Sequence, residues 1–349
     1  MGKSGRGAAT LRDVAEQAGV SVTLVSYIVN SRPVSIPEKT RQRVLRAITE
    51  LDYVPSAPAR GLRNRKTRVI AQVLLHYQPQ DMFADPCLAG KTSGLIDCLA
   101  LHGYYHLTYP VADGEPQTRE LVAFAKSHRV DGVVVENALI DDPCIQKIAE
   151  CGVPFVVFNH GPLPYPRSAV VNMDDEAGIR LSTLHLIERG HRRIGHLKGT
   201  PQSLPDRIRI LTFEKVLREH GIEVRAEWIR GDGSCSMDDG FKSMGEILDL
   251  SDRPTAMVAT SDLLAMGALR QIRARGLRVP EDVALIGFDD IPVSSMLTPP
   301  LSSISLSYRQ LGEIAGRQLM LLIEDPSLSL PPASVPVRLV ARASTERTP

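Results

Sequence analysis

Near the start of the chain, Val22, Thr23, Ser26 and Tyr27 fall on one arc of a short helix. Ser21 stands where it can cap that helix and Asn30 follows its end. A free arc of hydroxyl, phenol and small apolar groups can meet the edges of base pairs in a DNA groove. The elements that position it are legible. Thr10 can cap a preceding helix, with Asp13 three residues on able to reach back. Leu11, Val14, Ala15 and Ala18 give that helix an apolar face, and Gly19 can end it in the left-handed conformation. Val25, Ile28 and Val29 turn toward the same small core. Two helices joined by a short Gly turn form either an ordinary helical hairpin or a helix-turn-helix that enters a major groove. A third helix favours the second reading. It is expected from Ser35 to about Leu51, with Ser35 and Glu38 as a capping box and Val44, Leu45, Ile48 and Leu51 inward.

Charge supports nucleic acid as a partner. The chain of 349 residues has a net charge of only +1. Residues 1–68, however, hold 13 Lys/Arg against 5 Asp/Glu, hence +8, and the remainder 28 against 35, hence −7. A basic module on an acidic body is the footprint of phosphate binding. In 53–68, YVPSAPARGLRNRKTR, Arg60, Arg63, Arg65, Lys66 and Arg68 can neutralise phosphates.

Other chemistries find little support. Cys87, Cys98, Cys144, Cys151 and Cys235 show no paired CxxC spacing, which argues against zinc and disulfides and suits a reducing cytoplasm. AGKTS at 89–93 has part of a phosphate-loop pattern, but the first glycine it needs is Asp85, so a helix over a cleft is expected. No G-x-S-x-G, H-E-x-x-H or G-x-G-x-x-G occurs, so no catalytic residue, metal or cofactor is expected. There is no apolar signal core and no run of membrane-spanning length. The expected place is the cytoplasm, on the nucleoid when DNA is bound.

GVSVTLVSYIVN, followed by VSIPEKTRQRVLRAITELDYVPSAPARGLR, resembles the headpiece of the lactose/galactose repressor family of bacterial transcription regulators. The likeness runs almost to the C-terminus. It implies a repressor that binds a palindromic operator as a homodimer and is controlled by a small polar effector in a cleft between two lobes, with a hinge helix that folds only on DNA. Ala59 and Leu62 match the hinge's apolar positions, Leu62 being the wedge that opens a base step. Pro58 and Gly61 depart from the pattern and weaken that helix. Tyr27 stands where relatives often carry Arg.

The rest alternates apolar runs (69–75, 132–136, 154–159, 194–199, 256–260, 283–290) with amphipathic stretches (176–189, 209–220, 263–275). Such alternation indicates parallel α/β sheets covered on both faces, and the length indicates two lobes. The expected fold is an all-α helix-turn-helix headpiece plus an α/β two-lobed, periplasmic-binding-protein-like body. The expected boundaries are an arm at 1–9, the headpiece at 10–53, the hinge at 54–68, the body at 69–343 and a polar tail at 344–349. Lobe one takes 69–167 and 297–328, and lobe two takes 168–296 and 329–343, with crossings near 166–170, 292–298 and 328–335.

Open α/β sheets bind ligands at the carboxyl ends of their strands. The resemblance places Phe83, Asn159, Arg209, Ser261 and Asp289 in that cleft, as an aromatic platform and polar contacts to an effector. Asp290 is expected to cap a helix. Thr212, where the family has Gly, and Cys235, in a loop longer by two, are departures. His191 and Trp228 read as structural. The polar set suits a sugar or nucleobase. The competing reading is a solute-binding protein or sugar-processing enzyme that shares only the body.

Overall fold

A computed structural model describes residues 9–29, 33–54, 66–76, 85–112, 115–127 and 129–346. It divides into two compact units, Met1–Thr67 and Arg68–Pro349.

In the first unit, α1 (Leu11–Ala18) begins at Thr10, whose hydroxyl accepts from Asp13 N at 3.3 Å while Asp13 returns a bond to Thr10 N at 2.7 Å. Gly19, at φ 62°, ends it. Ser21 caps α2 (Val22–Val29), its Oγ accepting from Leu24 N at 3.2 Å. Val14, Ala15, Ala18, Val25, Ile28, Val44 and Ala47 form the core with Tyr53. The third helix departs from expectation. α3 runs Glu38–Glu50 with Pro37 at its N-cap and no side-chain cap, so the Ser35–Glu38 box does not form. Pro37 holds Ile36 out of helical geometry and delays the start. Leu45 faces outward, 42% exposed, and Ala47 takes the core position instead.

The second unit holds two six-stranded sheets. The first contains β1 (Val69–Leu75), β2 (Tyr105–Val111), β3 (Gly132–Glu136), β4 (Phe155–Phe158), β5 (Ser168–Met173) and β11 (Ala333–Val335), in the order β11-β5-β4-β3-β1-β2. The second contains β6 (Ile194–Gly199), β7 (Ile229–Gly233), β8 (Ala256–Ala259), β9 (Ala284–Asp289), β10 (Ser302–Ser305) and β12 (Arg338–Val340), in the order β12-β10-β9-β8-β6-β7. Pairing is parallel except for β10 with β12. β3, β4 and β8 are buried throughout, as expected of central strands covered on both faces.

These pairings correct the lobe boundaries. β5 joins β4 in the first sheet, so the first crossing follows Met173 rather than lying at 166–170. β10 joins β9 in the second, so the next follows Ser305 rather than 292–298. The last falls between Val335 and Arg338, so lobe two does not resume at 329. Each expected crossing leads into one more short strand before the chain changes sheet.

Two further boundaries move. Arg68 belongs to the body: its guanidinium donates to His102 O at 3.0 Å and lies over the Tyr104 ring, instead of facing phosphate. The tail is no free end, for Ser344 and Thr345 are buried. Ser344 Oγ donates to Leu285 O at 2.6 Å, and Thr345 Oγ1 bonds His185 at 2.7 Å.

The helices of the body are α4 (Pro86–Leu101), α7 (Asp175–Glu188), α8 (Leu204–Glu219), α9 (Met237–Leu248), α10 (Asp262–Ala274) and α11 (Tyr308–Glu324), with α5 (Glu115–Lys126) and α6 (Pro143–Glu150) packed on the first sheet. α4 and α11 meet backbone to backbone: a Cβ on Gly94 would sit 1.9 Å from Arg309 O. α9 and α10 do the same in the second lobe, where a Cβ on Gly267 would sit 2.0 Å from Met237 O. Each lobe thus carries one rigid helix pair.

Candidate functional site

In the headpiece, Val22 (45%) and Thr23 are exposed on α2 and Ser21 is exposed at its cap. Tyr27 is half-buried. Ser26 does not join the arc. It is buried: one turn on from Val22, it falls between the core residues Val25 and Ile28. Asn30, Ala59, Arg60 and Leu62 lie outside the described residues, as does Phe83.

In the body, the ends of β4, β5, β8 and β9 bring polar side chains together. Arg209, on α8, is buried. Its Nε donates to Asp175 Oδ1 at 2.7 Å, Nη1 to Thr260 O at 2.6 Å and Nη2 to Met173 Sδ at 3.1 Å. The guanidinium lies flat on Phe288, 3.8 Å from the ring centroid. Arg209 and Asp289 feel each other's charge, but the arginine's salt bridge goes to Asp175. Burial alone would push the Asp175 carboxyl up, and Arg209 opposes it.

Asp289 is supplied differently. It ends β9 at φ 112°, a left-handed conformation rare outside glycine. Its Oδ1 accepts from the Tyr308 phenol at 2.5 Å. Burial and the nearby Asp262 push its carboxyl up to about 8, with Arg209 pulling the other way. Asp262 is fully buried. It accepts from Ser294 Oγ (2.5 Å), Ser303 Oγ (2.6 Å) and Ile291 N (2.9 Å). Burial lifts it to about 6 against those donors.

Asn159 also takes a left-handed backbone, φ 54°, at the end of β4, and its Oδ1 is buried with no hydrogen-bond partner. Ser261 caps α10, accepting from Leu264 N at 3.3 Å, so its hydroxyl is committed. Asp290 is not a helix cap: it pairs with Arg342 at 2.6 Å, and Ile291 caps the short turn that follows. Lys91, from AGKTS, lies in α4 and pairs with Glu136, which also accepts from Gln72 at 2.9 Å. Trp228 is buried and donates to Asp252 O at 3.0 Å, and His191 is buried near Thr255.

Sequence reasoning missed Asp175, Asp206, Asp262 and Tyr308. A signal existed for two of them. Glycine inside a strand marks a close approach, and a Cβ on Gly287 would lie 2.1 Å from Asp262 Oδ1, one on Gly199 2.4 Å from the Asp206 carboxyl. Cys87 and Cys235 approach Asp289 from the two lobes; burial first, then Asp289 for Cys87 and Asp206 ahead of Asp289 for Cys235, holds both thiols well above their usual range.

Residues 10–56 match the family described as bacterial regulatory proteins, lacI family, and residues 183–345 match the periplasmic binding protein-like domain. The transcriptional regulator CelR of Thermobifida fusca is 36% identical over 333 residues, 95% of each chain. The chain belongs to the LacI family. The PurR repressor of Mannheimia succiniciproducens is 31% identical over 97% of this chain and 99% of its own. Among solved structures, a Lac repressor dimer bound to operator and the anti-inducer ONPF superposes with TM-score 0.85 at 30% identity, covering 97% and 99% of the chains. A CelR–cellobiose complex does so with TM-score 0.75 at 32%, covering 96% and 99%. These LacI-family relatives are regulators, not enzymes, and the chain is a DNA-binding transcription regulator built from their two modules. The headpiece match also removes the reading of a protein that shares only the body.

Proposed function

We propose that this LacI-family regulator binds a palindromic operator as a homodimer, acts as a repressor, and answers to a small polar effector, a sugar or sugar derivative, in the cleft between its lobes. The observation that carries the effector reading is the pair of under-supplied acceptors, Asp289 with one phenol donor and Asn159 Oδ1 with none. Buried acceptors need donors, and a polyhydroxylated ligand brings them. Asn159 and Asp289 are the proposed contacts, together with Phe83, while Arg209 and Ser261, expected beside the effector, are proposed as the framework that holds them. Ser21, Val22, Thr23, Tyr27 and Asn30 are the proposed groove contacts and Ala59, Arg60 and Leu62 the hinge contacts; Ser26 would act from behind the reading face. The dimer reading is supported by exposed Ile96, Leu101, Tyr105 and Leu107 on α4 and the edge strand β2.

A thermal-shift screen of sugars, beginning with cellobiose, tests the effector, because a ligand of the folded state raises apparent stability. Selection from random duplexes tests the operator. A two-fold motif with salt-steep affinity is expected, and enrichment of no palindrome would end the operator reading.

A further inference from the structure

Asp289 stands in lobe two, at the end of β9. Tyr308 stands in lobe one, as the first residue of α11, just past the second crossing. Their 2.5 Å hydrogen bond therefore spans the two lobes beside the cleft. The phenol's root is clamped. A Cβ on Gly90 would meet Tyr308 Cβ at 2.7 Å, so the start of α11 lies against α4 with no slack. Movement of the phenol away from Asp289 is then movement of the rigid α4–α11 pair. The aspartate end is held by backbone in a left-handed conformation and surrounded by fixed charges: Asp262 and Arg209 from lobe two, Asp85 from lobe one. Tyr308 is the hydrogen-bond donor the structure gives to Asp289. A ligand bringing its own hydroxyls to Asp289 competes for the same oxygen.

We propose that Tyr308 is a positioning residue: its phenol ties lobe one to lobe two through Asp289, and an effector that takes Asp289 frees the tie. The second half rests on the effector-cleft reading above. The first half stands without any ligand.

Two cleft thiols report on the tie. Cys235, before α9, and Cys87, in α4, are half-buried on opposite lobes, whereas Cys151 lies at the end of α6, away from the cleft. The full chain, without ligand, is labelled with iodoacetamide at one fixed pH, and rates are read peptide by peptide. Cys235 is the arbiter, since the Tyr308 hydroxyl also touches Cys87. Tyr308→Phe keeps the ring against Gly90 and removes one oxygen. It is expected to raise Cys235 labelling about fivefold, the worth of one hydrogen bond, and to leave Cys151 unchanged. The same substitution made in an Asp289→Gly background, where glycine suits the left-handed backbone, is expected to change nothing, because the acceptor is already gone. An unchanged Cys235 rate in Tyr308→Phe, or an equal rise in both backgrounds, would overturn the tie. Sugar-induced thermal shifts in the unaltered chain test the cleft reading separately, so a failed tie and a failed effector site are told apart.

Discussion

Arg209 and Asp289 sit in one cleft, a base and an acid, and were expected to do the same work. Their surroundings differ. Arg209 is buried, paired with Asp175, bonded to Thr260 O and Met173 Sδ, and stacked on Phe288. Asp289 is half-buried, strained in its backbone, and supplied by one phenol. A charge whose donors all reach protein atoms is scaffold first. A carboxylate short of donors has capacity left for something else. Within one polar cluster, the count of satisfied bonds separates framework from binding surface better than residue type does.

The largest test of that contrast is Arg209→Ala. It strands the Asp175 carboxylate in the interior, and breaking one side of a buried pair destabilises by roughly 3–5 kcal/mol. Urea unfolding should show that loss. Full stability with effector affinity alone reduced would make Arg209 a binding residue after all. Asp289→Asn should act the other way. The amide keeps the shape and tolerates the left-handed backbone, so the fold survives while effector affinity falls by about fivefold, the worth of one neutral hydrogen bond.

The pH response sharpens the same contrast. In the folded protein burial pushes the Asp289 carboxyl up to about 8, far above the usual carboxylate range. The folded state therefore holds a proton that the unfolded chain has released. Stability from this group is present below the unfolded value and lost as pH rises toward 8, then levels off. Asp289→Asn removes that loss. Relative to the unaltered chain, the variant should gain unfolding midpoint between pH 5 and pH 8 and gain nothing further above. Parallel curves for the two proteins would show that Asp289 is not held protonated.

The headpiece was more legible than the cleft. Thr10, Asp13, Gly19 and Ser21 are local signals, each acting within four residues, and all are found in the roles their types suggest. Where a local signal competed with a stronger one it failed, as at Ser35 against Pro37. The long strands and amphipathic helices were visible through periodicity. The short strands β10, β11 and β12 were not, because three or four residues carry too little pattern, and the lobe crossings moved with them. In the cleft, Arg209 and Asp289 could be placed by resemblance, but the arginine's partner could not. Asp175 is 34 residues away in sequence, and nothing in its neighbours marks it. Ser26 shows the limit at short range: periodicity placed it on an arc edge, and packing among Val25 and Ile28 decided which side won.

That edge residue gives the next smaller test. Ser26→Ala removes one oxygen and should leave headpiece stability within about 1 kcal/mol, since a hydroxymethyl becomes a methyl in a site already buried. Thr23→Ala, on the exposed arc, should leave stability alone and weaken selection at one base position. Equal loss of base selection from both changes would return Ser26 to the reading face.

Ser261 is the finest division between framework and binding surface. It was expected beside the effector, yet its hydroxyl accepts from Leu264 N at 3.3 Å and starts the helix that carries Asp262. Removing an N-cap hydroxyl costs about 1 kcal/mol, and aspartate caps as well as serine does. Ser261→Ala should therefore lower the unfolding free energy by about that amount and leave effector affinity where it was, while Ser261→Asp restores stability. The aspartate also adds a carboxylate to a cleft that already holds Asp262 and Asp289, so a modest affinity change in that variant alone is electrostatic. The discriminating result is the alanine variant. Unchanged stability with weakened effector binding would mean that the hydroxyl turns to the ligand, and the cap is an alternative rather than its fixed role.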